Sequence, residues 1–579
     1  MLKKTLTLLL FLSSYFTIYS QTYITNVTIA DVEKEQLIAN QTVVIENGII
    51  SKIKKSNKIT IPVNAEVING ENKFLFPGLV DSHIHFFQNG GLYTRPDAIN
   101  LQKVKSYQDE IELAQNDMEA KLRRYLQNGI TSLVDVGATY NFLKQRKNFK
   151  NKPYSPTVFM TGPLLTTYKP EVYNNLGDDE PFILTTTPEK GVEIVRDQVK
   201  NNADFIKIWY IVGTDGLSDE ESAKKNLPIV KAIINEAHKN NLKVAVHATE
   251  RITAQLAVEN GADFLVHSVQ DEIVKKDFVQ LLKKNKTVLC PSLIVSAAYF
   301  NTFGQKISFS NHELLKADPY QLGSLLDLRH ISDTATVNRY KNFANSKQSI
   351  ERIKKREAIS KANLKILSDA GVLIASGTDA GNIGTLHASS YLTELKVMKE
   401  SGMSNWKIIQ SSTVNGAKIF DKENELGTVT EGKKANLILL NQNPIENLDH
   451  LTKIHTVFNN GKVIKPDSLL KDTPRDLAQR QLNAYNLRNI DAFLEPYADD
   501  VEIYTFPNKL SFKGKDIMRK KYIPLFEKIP NLHCQVTERI VKGNIVIDKE
   551  VVTVKNRTVE AIAIYHIENG KIKKVYFVD

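Results

Sequence analysis

The sequence predicts an α/β fold: a TIM-type (β/α)8 barrel, a small β-sandwich built from both flanks of that barrel, and a C-terminal α+β unit. Three observations predict it. Between about Phe76 and Lys422, eight short apolar strands alternate with helical stretches, the pattern of a parallel sheet with crossover helices. Short alternating segments flank that stretch on both sides. From about Arg475 the texture changes to one helix followed by long alternating strands. A chain of 579 residues is also too long for one core, so several domains are expected.

The first residues read as a secretory leader. Lys3 and Lys4 precede an apolar run from Leu6 to about Ile18, and Ser20 is a small residue at the expected cut. The run is too short for a comfortable membrane span. Residues 1–20 are therefore expected to be a signal peptide, and the mature chain to be secreted or periplasmic without stable membrane insertion. Cys290 and Cys534, the only two cysteines, are far apart and make no disulfide framework. The net charge of +11 is spread along the chain with no long basic run and no interleaved aromatics, so no nucleic-acid partner is expected.

Strands follow at Thr25–Ile29, Gln41–Ile45 and Gly48–Ile53, with Asn47-Gly48 as a hairpin turn. Matching pieces return at Ala435–Leu440 and Thr456–Ile464. Neither set is large enough to stand alone, so residues 21–75 and 423–468 are expected to pair into one composite sandwich. Residues 76–422 form the barrel. Its strands are the run ending at His85, then Thr131–Val136, Thr157–Thr161, Phe205–Tyr210, Lys243–Ala248, Phe264–Val269, Thr287–Leu293 and Val372–Ser376.

Barrels of this type place their chemistry at the C-terminal strand ends. His83 and His85 lie two apart on strand one, so both rings point to one face. Strand four carries Lys207, strand five His247 and strand six His267. Strand eight runs into Asp379. One histidine pair is common by chance. Four histidines, one lysine and one aspartate at one mouth are not. Imidazole nitrogen and carboxylate oxygen suit a divalent metal, zinc above all. Lys207 sits in an apolar strand, where a buried charge needs neutralising or pairing.

These residues resemble the amidohydrolase superfamily. The resemblance is carried by Pro77-Gly78-Leu79-Val80-Asp81-Ser82-His83-Ile84-His85, Lys207, His247, His267, Gly377-Thr378-Asp379, Leu386-His387, Glu394 and the run Gly427 to Leu437. It covers about Thr25 to Ile464 and looks most like the imidazolonepropionase and Xaa-Pro dipeptidase-like branch. Val266-His267-Ser268 and Val414-Asn415-Gly416-Ala417 depart from that branch's commoner Glu-His-Gly and Asn-Pro-Ala. The resemblance implies two divalent metal ions, with zinc as the expected ion. His83, His85 and Asp379 would hold one, His247 and His267 the other, and an N-carboxylated Lys207 would lie between them. It implies attack of a metal-bound hydroxide on a C–N bond, with Asp379 as general base and then acid. The small-molecule substrate would be a dipeptide, N-acyl amino acid or cyclic amide. His387, Trp209 and Tyr210 are expected near the same rim as substrate contacts. The long polar segment from Asn301 to Ser349 is expected to form a helical cap over the mouth.

The tail, residues 475–579, resembles a SnoaL-like domain of the NTF2-like superfamily, a curved sheet wrapped by helices into a cone. Against the steroid isomerases of that fold, the tyrosine acid falls at Gln481 and the aspartate base at Thr505, so that chemistry is missing. A binding or pairing role is expected, with homo-oligomer formation through this domain. Two other readings of the chain stay open: a lactone or phosphoester hydrolase at the same site, and a non-catalytic protein that binds its ligand in the cone.

Overall fold

The computed structural model describes residues 21–578; the expected leader lies outside the described residues. Leu79–Ile84, Ile130–Asp135 and Thr157–Met160 pair in parallel, one strand after another. Phe205–Trp209, Lys243–His247, Phe264–Val266 and Val288–Cys290 form a second parallel run. Two short strands, Leu164–Thr166 and Phe182–Leu184, extend that run beside Phe205–Trp209. Asp204 N donates to Met160 O at 2.8 Å and joins the two runs.

The eighth strand is a departure. No regular strand forms over Val372–Ser376; isolated bridges at Leu289–Ile374 and Ile84–Ala380 close the barrel instead. Backbone bonds still hold the segment on both sides: Ala375 N donates to Leu289 O at 2.9 Å and Ser82 N to Ser376 O at 2.9 Å. Just beyond it Asp81, a fully buried carboxylate, accepts from Thr378 N at 3.0 Å and Thr378 Oγ1 at 2.8 Å. Gly377 allows this close approach. A Cβ there would fall 2.5 Å from Cys290 Sγ and 2.6 Å from His83 N.

The two flanks make one sheet. Phe74–Pro77 from the first flank pairs antiparallel with Leu437–Leu440 from the second. Ile50 N donates to Lys433 O at 2.8 Å, so the eight-stranded sheet folds over its own core of Ile24, Val27, Val43, Leu75, Leu437 and Phe458. Cys290 and Cys534 are buried free thiols. No helix among the described residues is long and apolar enough to cross a membrane.

After Val288–Cys290 the chain builds a helical layer: Val295–Phe303, Asn311–Lys316, Pro319–Ser324, Thr334–Asn345 and the long Lys347–Asp369. The tail forms a six-stranded sheet, with strands Lys509–Lys513, Tyr497–Thr505, Lys571–Val578, Arg557–Glu568, Ile545–Val554 and His533–Lys542 in that spatial order. Its concave side is filled. Gln481 Nε2 donates to the Tyr565 hydroxyl at 2.9 Å, Tyr497 donates to Gln481 Oε1 at 3.1 Å, and Tyr565 donates to Glu550 Oε1 at 3.0 Å. Burial pushes the Glu550 carboxyl up to about 7. Thr505 lies apart from this chain, at the end of its strand.

The helical layer and the tail share one apolar core. Leu314, Leu322 and Phe303 belong to the same buried cluster as Leu477, Phe493 and Tyr565, and so do Ile383 and Leu386 of the segment that follows Asp379. Buried polar bonds cross the same boundary. Arg480 Nη1 donates to Leu314 O at 3.1 Å and Ala317 O at 3.2 Å, and its Nε donates to Asp472 at 2.8 Å. Asn483 donates to Pro319 O at 2.6 Å. Replacing Arg480 by methionine leaves two buried carbonyls without donors. The expected loss is about 2–4 kcal/mol, because bonds to a charged donor are lost and their acceptors stay desolvated. Denaturant unfolding of the variant beside the wild type measures it; equal midpoints would refute the brace.

Candidate active site

Five barrel segments deliver the site. His83 sits one residue before the end of Leu79–Ile84, and His85 follows that strand. Lys207 is the middle residue of Phe205–Trp209, and His247 closes Lys243–His247. His267 directly follows Phe264–Val266. Asp379 lies in the irregular eighth segment, where its N donates to His83 O at 2.7 Å. His267 (φ 74°), Ser292 (φ 46°) and Asp379 (φ 57°) all have left-handed backbone, a conformation that costs an L-residue roughly 1–2 kcal/mol. Each is held there by surrounding bonds; His267 N, for example, donates to Cys290 O at 2.8 Å.

All six side chains predicted from the sequence come together. His83 Nε2 and His85 Nε2 are each 3.1 Å from Asp379 Oδ1. His267 Nε2 is 3.7 Å from Asp379 Oδ2. Ring centroids are 4.9 Å apart for His83 and His267 and 4.4 Å apart for His247 and His267. His83, His85 and Asp379 bring three ligand atoms within 4.8 Å of one another, a spacing one ion can span. Lys207 Nζ is buried and has no hydrogen-bond partner.

The charges favour a bound cation. Burial holds His83 down at about 4, His267 at about 3 and His247 well below the ordinary histidine value, so these rings are neutral at pH 7. Burial likewise lowers Lys207 to about 7, against the pull of the Asp379 carboxylate. His85 Nδ1 donates to Gly137 O at 3.1 Å. A neutral His85 therefore turns the lone pair of Nε2 toward the Asp379 carboxylate. A divalent cation shared between them satisfies both atoms, so the residues present fit a metal. His83 Nδ1 bonds Ser292 Oγ at 2.8 Å, which orients that ring as outer-shell partners of metal-binding histidines do.

The cluster opens into a cavity of about 310 Å³. Trp209 forms one wall, packed on Phe182 with centroids 4.9 Å apart. The other two residues predicted for the rim face elsewhere. His387 is buried, takes a bond from Tyr125 OH at 2.8 Å on Nδ1 and donates from Nε2 to Gln88 O at 2.8 Å. Tyr210 is buried and donates its hydroxyl to Ala223 O. Both ring nitrogens of His387 and the Tyr210 hydroxyl are thereby spent on the fold.

Several lining residues escaped the sequence reading. Asn382 Nδ2 donates to Asp379 Oδ1 at 2.7 Å, and its Oδ1 accepts from Arg95 at 2.6 Å and Tyr299 at 2.7 Å. Arg95 in turn grips Asp97. The helical layer brings Ser296, Tyr299 and Arg356 to the cavity; they flank the segment expected as a cap, Asn301 to Ser349, which itself contributes no lining residue. Glu394 accepts from Leu293 N at 2.9 Å and Ile294 N at 3.1 Å, which pins the start of that layer. Asn382, three residues past Asp379, was the one with a local signal; Tyr299 and Arg356 arrive from a distant segment with no motif.

Comparisons with known proteins agree with this geometry. A model of the amidohydrolase family matches residues 74–464, and one of the SnoaL-like domain matches residues 478–575. The chain is similar to a 5-methylthioadenosine/S-adenosylhomocysteine deaminase of Carboxydothermus hydrogenoformans, with 21% identity over 79% of this chain and 93% of that protein. It is also similar to the imidazolonepropionase of Thermoanaerobacter pseudethanolicus, with 23% identity over 73% of this chain and 88% of the relative. Among solved structures, a Xaa-Pro dipeptidase with bound methionine in its active site matches with a TM-score of 0.57 and 23% identity, over 77% of this chain and all of that one. A molinate hydrolase matches with a TM-score of 0.57 and 15% identity, over 78% of this chain and 96% of that one.

Proposed function

The chain belongs to the amidohydrolase family and carries a SnoaL-like domain, and from that premise we propose that it is a metal-dependent hydrolase of a C–N bond in a dipeptide, N-acyl amino acid or cyclic amide. One observation carries the reading: the His85 lone pair and the Asp379 carboxylate converge at 3.1 Å beside three neutral imidazoles and the partnerless amine of Lys207. His83, His85 and Asp379 would hold one divalent ion, His247 and His267 a second, and Lys207 would bridge them. With its pKa lowered to about 7, the Lys207 amine is partly neutral and can add CO2, forming an N–C bond and losing a proton, which turns a buried amine into an anionic oxygen ligand. Zinc is the ion proposed, since the donors mix nitrogen and oxygen.

Two divalent ions, once bound, supply hydroxide at neutral pH and Lewis acidity toward a carbonyl. The chain's own residues do the rest. Asp379 Oδ1 accepts from Asn382 and has His83 and His85 Nε2 at 3.1 Å, whereas Oδ2 accepts no hydrogen bond among the described residues and has His267 Nε2 at 3.7 Å. Oδ2 is the atom that takes the proton from water and returns it to the leaving nitrogen. The carbonyl carbon gains oxygen, the C–N bond breaks, and the nitrogen leaves as an amine. Trp209 and Phe182 shield one side of the reacting bond from water. The same attack would open a lactone or phosphoester, and nothing in the cavity favours those over an amide. The filled interior of the cone favours a bracing role there over ligand binding.

We also propose that the cone pairs with a second copy of this chain. Across its outer face, Ile540, Ile547, Ile564, Tyr576, Tyr504 and Leu510 stand in register, one on each of the six strands. Ile540 is 61% exposed and Leu510 51% exposed. Six strands span about 24 Å. With its flanks such a row approaches the roughly 800 Å² per partner of a stable interface. The flanks carry ion pairs of their own, Lys513 and Lys574 with Glu502 on one side and Lys549 with Glu538 on the other. Export of the mature chain from Gln21 onward completes the proposal.

Three measurements test these statements. Metal analysis of the purified chain should find about two divalent ions, as in other two-metal sites. Chelation should abolish turnover of dipeptides or N-acyl amino acids, and Lys207→Met should lose bound metal as well as activity. Full activity in metal-free protein would sink the reading. The wild type should sediment as a dimer and Ile564→Lys as a monomer; a monomeric wild type rules out pairing. N-terminal sequencing of exported protein should begin at Gln21, and an intact leader would refute cleavage.

A further inference from the structure

A second cavity of about 300 Å³ adjoins the first. Gln270, Ser296 and Arg356 line both, so the two spaces meet at one partition. Ser292, which holds His83 Nδ1, lines the second cavity as well. Its lining is mainly apolar, with Ile294, Ala297, Ala298, Ile307, Phe309 and Ile353 beside the charged Glu313, Glu357 and Lys361. The volume lies at the small end of the range for ligand sites, roughly 300–1,000 Å³.

Arg356 is the informative residue of the partition. Three cations line the first cavity: Arg95, Lys207 and Arg356. Arg95 is committed to Asp97 and Asn382. Lys207 belongs to the metal cluster. Arg356 projects from Lys347–Asp369 and makes no hydrogen bond and no ion pair within 4 Å among the described residues. Glu250 feels its charge only from beyond that distance: burial raises the Glu250 carboxyl, and Arg356 offsets little of it. A guanidinium beside a reaction cavity, with no counter-ion of its own, is matched in shape and charge by a carboxylate bound through two parallel bonds.

We propose that Arg356 and the apolar cavity together form the subsite that selects the substrate. Arg356 takes a free carboxylate, and the cavity behind it takes a bulky apolar side chain on the neighbouring carbon. The substrate class is then an apolar amino acid, acylated on its nitrogen or joined in a dipeptide, with its carboxylate unblocked. The proposal rests on the C–N hydrolase reading above and narrows it. A cyclic amide without a carboxylate does not fit it.

Matched substrates test the idea on the metal-loaded full chain: N-acetyl-leucine and N-acetyl-phenylalanine, their carboxamides, and N-acetyl-glycine. The carboxylates should be hydrolysed with the higher kcat/KM. Arg356→Gln should raise their KM by about ten- to a hundredfold, the worth of one charge-assisted pair, with little change in kcat and none for the carboxamides. Ala297→Phe, which fills the apolar cavity, should lower the leucine-to-glycine ratio of kcat/KM by about tenfold. Arg356 is exposed, so its variant should fold as the wild type does, and melting temperature checks this. Equal rates on carboxylates and carboxamides, or an Arg356→Gln loss confined to kcat, would overturn the subsite and leave the hydrolase reading standing. No turnover of any compound by metal-loaded protein would overturn both.

Discussion

The site depends on forcing electron-rich atoms together. Two histidine nitrogens and a carboxylate oxygen lie 3.1 Å apart under a layer of protein, where water cannot separate them. The surrounding structure holds this arrangement through bonds that leave the atoms no alternative. Asp81 fixes Thr378 against strand one. Gly377 lets strand eight approach strand one at backbone distance. Ser292 and Gly137 fix the far nitrogens of His83 and His85. The left-handed backbone at His267, Ser292 and Asp379 belongs to the same constraint, since a regular ladder would aim these side chains elsewhere.

That constraint explains why the barrel is least regular where its chemistry lies. Strands one to seven form two parallel runs, while the eighth segment is held by isolated bridges and single backbone bonds, with side-chain bonds added at Thr378. Asp379 then sits on a turn held by His83 O, Asn382 and the Thr385 hydroxyl. The next residues, Ile383 and Leu386, enter the core shared by the helical layer and the tail. The tail thus touches the site through one apolar step. Its sheet supplies no group to the cavity, yet its helices share a core with the segment that follows Asp379.

Much of this was legible in the sequence because barrel geometry converts position into place. A residue at the C-terminal end of a barrel strand must face the mouth. His83, His85, Lys207, His247 and His267 could therefore be gathered from strand ends alone. The two flanks could be paired because neither buries enough apolar surface by itself. What stayed hidden depends on contacts across long stretches of chain. Arg356 lies 149 residues beyond Lys207, on a helix whose charged pattern reads as plain solvent surface. His387 and Tyr210 had the right neighbours in sequence but the wrong directions in space. Each is turned by one buried acceptor, Gln88 O or Ala223 O, that no local pattern announces. Val372–Ser376 read as a strand by apolar content, and in the fold it pairs only through an isolated bridge and single backbone bonds.

The same logic separates the two kinds of residue at the mouth. The clustered groups proposed to hold metal or move a proton, His83, His85 and Asp379, are buried and bonded to the surrounding fold. Their identity is therefore constrained by the fold. Arg356 is exposed, unbonded and carried by a helix of the added layer. Its long side chain keeps its rotamer entropy until an anion arrives, so part of the binding energy is spent on ordering it. A cluster fixed by the barrel and a selector carried by the layer above it let the reaction stay constant while the substrate changes with the layer. The helix that carries Arg356 is seated on the barrel itself, where its Leu364 and Leu367 join the barrel's buried core.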